Sequence, residues 1–135
     1  MFGLFKKKDK KTAEVIQEVE LSEEAKADLL KKIENEKTLV NDGREKLDEE
    51  LAKSYEKIGL WYAELNDSDE AIASLEKSLE IKLSMGDGYK KLMSLYNAKR
   101  AQAARSKDNE AIDYYMGKMD EMRNIAKKLT LSNNK

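Results

Sequence analysis

Apolar residues recur every three or four positions along most of the chain, which is the pattern of helices that each bury one face. A first helix is predicted to begin after Ser22, a favourable N-cap that is followed by two glutamates, and to run to about Leu39. The clearest stripe belongs to a second helix, whose apolar residues are spaced by 4, 4, 3, 4 and 3 positions: Leu47, Leu51, Tyr55, Ile58, Tyr62 and Leu65.

Short polar segments separate the helices and predict where they start. Asp42 in the sequence NDG, followed by Glu45, is interpreted as a capping pair for the second helix. Asp67 with Glu70 predicts the start of a third helix, whose apolar stripe extends to Leu83.

Two further turns complete the pattern. The sequence MGDG at 85–88 precedes a fourth helix that extends to about Arg105, and SKDN at 106–109 precedes a fifth. About five helices with short connections are therefore expected, and such connections favour helices that alternate in direction. The fifth helix carries Met116, Met119 and Met122, which are interpreted either as adaptable core residues or as a surface for self-association or for a partner helix.

One set of apolar residues is repeated. Tyr55, Ile58 and Tyr62 are matched by Tyr89, Leu92 and Tyr96, and all three pairs are separated by 34 residues. A common offset of this size indicates a repeated structural unit.

The repeated unit resembles the tetratricopeptide repeat, a hairpin of two helices with the pattern W-x2-L-G-x2-Y on the first and A-x3-F on the second. Tyr55 stands at the tryptophan place, Ile58 and Gly59 match the Leu-Gly pair, and Ala71 and Leu75 take the places on the second helix. Tyr62 matches the family tyrosine. The small Gly59 and Ala71 indicate that the two helices cross closely.

A second copy is less regular. Met93 occupies the glycine place, and NEAIDYY at 109–115 matches DEAIASL at 69–75 at an offset of 40, so six inserted residues are placed in the fourth helix. The resemblance covers residues 52 to about 123. It implies an all-α fold of helical hairpin repeats in a right-handed superhelix. The helix at 22–39 is expected to cover one open end, with Trp61 against Leu29 and Ile33.

Composition limits the chemistry that the chain can perform. Its 135 residues include no histidine and no cysteine, which removes the commonest general acid–base group, thiol nucleophiles and the usual zinc ligands. No catalytic residue, metal site or cofactor is predicted, and the chain is expected not to be an enzyme. A cytoplasmic location is expected, and the inner face of the membrane is the alternative.

Charge separates the start of the chain from the rest. Residues 1–11 carry five lysines and one aspartate, a net charge of +4, whereas the remaining residues carry 21 basic and 26 acidic side chains. Three regions are predicted: a tail and linker at 1–20, a helical domain at 21–131 and a C-terminal tail at 132–135. The tail either solubilises the chain or binds an anionic membrane surface through six residues: Phe2, Leu4, Phe5, Lys6, Lys7 and Lys8.

The resemblance implies a non-enzymatic adaptor or scaffold that binds a peptide or a partner helix. The alternative is a membrane-tethered assembly factor whose helices self-associate, for example as a homodimer. Nucleic acid is not an expected partner, because the basic cluster at 99–107 is small and the domain is acidic. The binding groove, carried over from the family geometry, would be lined by Lys53, Glu56, Leu60, Glu64, Lys90, Ser94, Asn97 and Ala101, unless these form an ordinary solvated surface.

Overall fold

The computed structural model describes residues 21–43 and 47–133, and these residues form five helices and no strand. The predicted all-α fold class is therefore confirmed. The last helix ends at Asn133, two residues beyond the predicted end of the helical domain. The helices are α1 (Glu23–Asn41), α2 (Asp48–Glu64), α3 (Ser68–Ile81), α4 (Asp87–Arg105) and α5 (Asn109–Asn133).

The helices pack as two stacked hairpins. Helix α2 lies along α3 and α4 lies along α5, while α3 and α2 both contact α4. This repeat-like arrangement joins the two hairpins into one stack. Helix α1 packs against α2, so it covers the open side of the first hairpin, as predicted.

The contact between α1 and α2 includes polar groups. Glu36 is buried on α1 and accepts a hydrogen bond of 2.6 Å from Ser54 Oγ, and Lys57 Nζ lies 3.7 Å from the same carboxylate. Leu29 and Ile33 are buried on α1, and Trp61 is half-buried on α2. The predicted packing of Trp61 on these two residues stays a prediction.

Two of the predicted helix starts are confirmed. The amide N–H of Ala25 donates to Ser22 Oγ over 3.0 Å, so Ser22 caps α1. The amide N–H of Glu70 donates to Asp67 Oδ1 over 3.3 Å, so Asp67 caps α3.

The interpretation of Asp42 as the cap of the second helix was wrong. Asp42 is the C-cap of α1, and its N–H donates to the Thr38 carbonyl over 2.9 Å. Gly43 follows with a φ of 71°, a backbone conformation that ends helices and that glycine adopts without steric cost. The segment therefore terminates α1, and α2 begins later, after Leu47, whose side chain is 64% exposed.

The apolar stripe of the third helix is also shorter than predicted. Helix α3 ends at Ile81, and the next residue, Lys82, has an extended backbone conformation. Leu83 therefore lies outside the helix, with 47% of its surface exposed. Because it is exposed, Leu83 does not belong to the core of the first hairpin.

The predicted close crossing of α2 and α3 is confirmed. A Cβ atom placed on Gly59 would lie 2.6 Å from Leu75 Cγ and 3.2 Å from the Ala71 carbonyl oxygen. Ala71 and Leu75 are both fully buried. The helices approach so closely at this point that only a residue without a side chain fits on α2.

One hydrophobic core joins α3, α4 and α5. Its five buried residues are Leu75, Leu79, Leu92, Tyr96 and Met122. Met122 is buried and Met119 packs against this core, as expected of core residues, whereas Met116 is 50% exposed. The interpretation of the methionines as an association surface stays a prediction.

The inserted residues lie in α4, as predicted. Two turns are equivalent: Asp67 N–H donates to the Tyr62 carbonyl and Asp108 N–H donates to the Ala103 carbonyl, each over 2.9 Å. These turns are 41 residues apart, seven more than the 34 that relate the apolar residues of α2 and α4. Seven residues are two helical turns, so the second hairpin extends about 10 Å further than the first. Compared with α3, α5 has one residue fewer between its cap and its first alanine, Ala111, which accounts for the net insertion of six.

Candidate functional site

A groove lies between the C-terminal half of α2 and the start of α4, the first helices of the two hairpins. Its volume is about 520 Å³. We call it the α2–α4 groove. It is lined by Leu60, Ala63, Glu64, Asp87, Lys90, Lys91 and Ser94.

Four of the eight predicted groove residues line this groove, namely Leu60, Glu64, Lys90 and Ser94. Lys53 is exposed and Ala101 is half-buried, and neither belongs to the lining. Asn97 lines a separate depression between α4 and α5, where its side-chain oxygen accepts a hydrogen bond from Arg100 Nε over 3.1 Å.

Glu56, the remaining predicted groove residue, is not part of the lining and instead contacts the start of α4. Helix α4 begins after Gly86, which has no side chain to act as a cap. Glu56 Oε2 on α2 accepts a hydrogen bond of 2.8 Å from the Gly88 amide N–H, so a carboxylate from another helix takes the place of the cap. Gly88 is buried against this carboxylate, and a Cβ atom there would lie 2.8 Å from Oε2.

Replacing Glu56 by alanine is expected to destabilise the fold by about 0.5–2 kcal/mol, the usual cost of losing a helix cap. Chemical denaturation followed by circular dichroism measures the change. Glu56→Gln keeps a side-chain acceptor and removes the charge, so it should lose less than the alanine variant. Equal stability of wild type and Glu56→Ala would contradict the capping role.

The charges that line the α2–α4 groove are balanced. Glu64 and Asp87 are acidic, Lys90 and Lys91 are basic, and Leu60 supplies apolar surface. Such a surface can bind a protein segment that carries an apolar residue and charges of both signs.

Three lining residues were missed by the prediction from the sequence. Ala63 and Lys91 each neighbour a predicted residue, which shows that the groove is wider than one row of side chains per helix. Asp87 lies in the first turn of α4, two residues before the first apolar residue of its stripe, Tyr89. Ala63 and Lys91 could have been predicted by including the sequence neighbours of each predicted groove residue.

The basic cluster at 99–107 is partly neutralised. Lys99 Nζ lies 2.8 Å from Asp69 Oδ1, and this hydrogen bond raises the pKa of the Lys99 ammonium. Arg100 donates to Asn97, as described above. Two of the cluster's four cations are therefore engaged by side chains of the domain itself.

The predicted membrane-binding tail, with Phe2, Leu4, Phe5 and the lysines at 6–8, lies outside the described residues. In the part of the chain that the structure describes, no helix is both long enough and apolar enough to cross a bilayer. The same residues contain no cluster of three or more acidic side chains that could hold a metal ion.

No family model matches the chain, and searches of curated proteins and of solved structures find no match either.

Proposed function

We propose that this protein is a non-enzymatic interaction module of the tetratricopeptide type, an adaptor or scaffold that binds a segment of a protein partner in the α2–α4 groove. The observation that carries the proposal is the groove itself, which lies between the first helices of two stacked hairpins. A groove in this position is where tetratricopeptide domains bind their partners. The proposed location is the cytoplasm.

The lining of the groove supports a polypeptide as the ligand. Its volume of about 520 Å³ is sufficient for several side chains, and its polar groups are distributed along two helices. The paired acids and lysines favour a partner segment with charges of both signs, which bind by complementary contacts. Leu60 supplies the apolar contact on which such a segment would be anchored.

Site-specific crosslinking tests this proposal. The chain has no cysteine, so Ser94→Cys provides a single attachment point for a photoreactive group inside the groove. Ser106→Cys provides a matched control, because Ser106 is an exposed serine in the turn between α4 and α5. Crosslinking in lysate of the source cell, followed by mass spectrometry, should capture a protein from position 94 that is absent from position 106.

Charge reversal then tests whether the groove itself holds the captured protein. Lys90→Glu with Lys91→Glu should remove the crosslink while leaving the circular dichroism spectrum and melting temperature close to those of wild type. Capture of the same proteins from positions 94 and 106, or capture that persists after the charge reversal, would contradict the proposal.

A second candidate function is a membrane-tethered assembly factor. It is favoured by the net charge of +4 on residues 1–11, which also contain Phe2, Leu4 and Phe5. Lysines near an anionic bilayer contribute about 1 kcal/mol each. The vesicle measurement described below distinguishes this function from the one proposed.

A further inference from the structure

A second groove lies among α3, α4 and α5, and we propose that it binds the N-terminal segment at 1–11 of the same chain. We call it the α3–α5 groove. Its volume is about 260 Å³. Pockets that enclose small molecules usually measure about 300–1,000 Å³, so this groove suits a few side chains better than a whole ligand. Its lining includes Leu79, Leu83, Leu92, Met122 and Ile125 together with Glu76, Glu80 and Glu121.

The floor of this groove is apolar. Leu79, Leu92 and Met122 belong to the core that joins the two hairpins, and each is less than 10% exposed. Leu83, which α3 does not include, is 47% exposed at the groove and remains available for contact. Large apolar side chains placed against Leu83 and the half-buried Ile125 would remove apolar surface from water.

The rim of the groove is acidic. Three glutamates, Glu76, Glu80 and Glu121, line it with one basic residue, Lys118. Lys118 Nζ lies 3.9 Å from Glu76 and 3.6 Å from Glu121, so it offsets part of this charge and a net charge of −2 remains. Tyr96 donates a hydrogen bond to Glu76, and burial, followed by this hydrogen bond, raises the pKa of its phenol.

The N-terminal segment has the complementary chemistry. Phe2, Leu4 and Phe5 are large and apolar, and they are followed by a run of lysines that gives the segment a net charge of +4. Apolar side chains on the floor would bring these lysines towards the acidic rim. The α2–α4 groove is a poorer match, since two acids and two lysines line it and its net charge is zero.

The length of the connecting chain sets how far the segment can reach. Residues 12–20 separate the segment from the first described residues, and nine residues span up to about 30 Å when extended. A domain of 100 residues has a radius of gyration of about 13 Å, so this reach is comparable with the domain's diameter.

The two grooves lie on opposite sides of α4. Lys90 and Ser94 line the α2–α4 groove, whereas Leu92 and Tyr96 line the α3–α5 groove, and residues two apart on a helix point about 200° apart. The segment could therefore occupy its groove while a partner occupies the other. A docked segment would also withhold its apolar side chains and lysines from an anionic membrane.

Paramagnetic relaxation in the full chain tests the proposal. Because the chain has no cysteine, Gly3→Cys carries a single nitroxide spin label in the segment. In the ¹⁵N-labelled chain, the amide signals of Glu80, Leu83 and Ile125 should lose intensity relative to the reduced, diamagnetic sample. Signals from α1 should keep their intensity. Uniform loss over all helices, or no loss at the groove, would overturn the proposal.

A charge-reversal pair provides the matched control. Glu80→Lys with Glu121→Lys should remove the intensity loss at the groove, because the acidic rim is reversed. Glu110→Lys with Asp113→Lys makes the same change in net charge at two exposed acids outside the groove and should leave the loss unchanged. Equal behaviour of the two double variants would show that the rim does not hold the segment.

Two additional samples test whether the groove binds the segment of a second copy of the chain, and whether a membrane competes for the segment. Mixing spin-labelled ¹⁴N chain with unlabelled ¹⁵N chain should give no loss at the groove, and a loss there would assign the groove to the segment of a second copy. Phosphatidylserine vesicles should compete for the segment and restore the groove signals. Binding to these vesicles with no groove contact in their absence would reject the proposal and favour the membrane-tethered function.

Discussion

Replacing Leu75 by alanine is expected to lower the free energy of unfolding by about 2–5 kcal/mol, the range for buried leucines. Leu75 is fully buried, packs at the crossing of α2 and α3, and belongs to the core that continues into α4 and α5. Removing its side chain leaves a cavity in the core that joins the two hairpins. Urea denaturation followed by circular dichroism gives the difference from wild type.

Leu30→Ala is the matched control for this prediction. Leu30 is a helical leucine on α1 with 54% of its surface exposed, so its replacement should change the free energy of unfolding by no more than about 0.5 kcal/mol. Comparable losses for the two variants would mean that Leu75 does not occupy the centre of the core.

Adding a methyl group at Gly59 is expected to destabilise the protein, whereas the same change at Gly117 is expected to stabilise it. At Gly59 the new Cβ would lie 2.6 Å from Leu75 Cγ and 3.2 Å from a backbone oxygen, so α2 and α3 must separate. Such overpacking costs about 1–3 kcal/mol. The better helix propensity of alanine, worth up to about 1 kcal/mol, offsets only part of this cost.

Gly117→Ala isolates the propensity effect. Gly117 lies inside α5, and a Cβ there meets no atom within 4 Å. Its replacement should therefore raise the free energy of unfolding by about 0.5–1 kcal/mol. Thermal and urea denaturation of both variants measure the two signs. Stabilisation by Gly59→Ala would show that the two helices do not cross as closely as the structure places them.

The helices of the fold could be predicted because their signals are local. Ser22 and Asp67 cap the helices that they were predicted to cap, since each side chain bonds to an amide three residues ahead. Asp42 was assigned to the wrong helix. A turn sequence such as NDG can end one helix or begin the next, and the backbone conformation at Gly43 decided which.

The candidate groove could be predicted in part. Leu60 and Glu64 are one turn apart on α2, and Lys90 and Ser94 are one turn apart on α4, so helical periodicity places each pair on one face. Glu56 is one further turn along the same face of α2. Its carboxylate caps α4 because the start of that helix lies beside it, and this proximity depends on how the two hairpins stack.

The length of the second hairpin could also be predicted only in part from the sequence. An offset of 40 between two similar segments predicted an insertion of six residues in α4, and the helix does contain the insertion. The two turns, however, are 41 residues apart, because α5 has one residue fewer than α3 between its cap and its first alanine. Matching apolar residues indicate which face of a helix is buried. Only the hydrogen bonds of the turns show where the chain reverses direction.

By itself, the sequence determined the all-α class, most of the helix boundaries, the close crossing at Gly59 and the absence of histidine and cysteine chemistry. These properties depend on residue type and on spacing along one or two helices. Only the tertiary structure decided which residues line the two grooves, that Glu56 caps α4, and that acidic residues from α3 and α5 surround one apolar floor. Those features join side chains from separate helices, and their positions follow from packing between hairpins, which no local pattern contains.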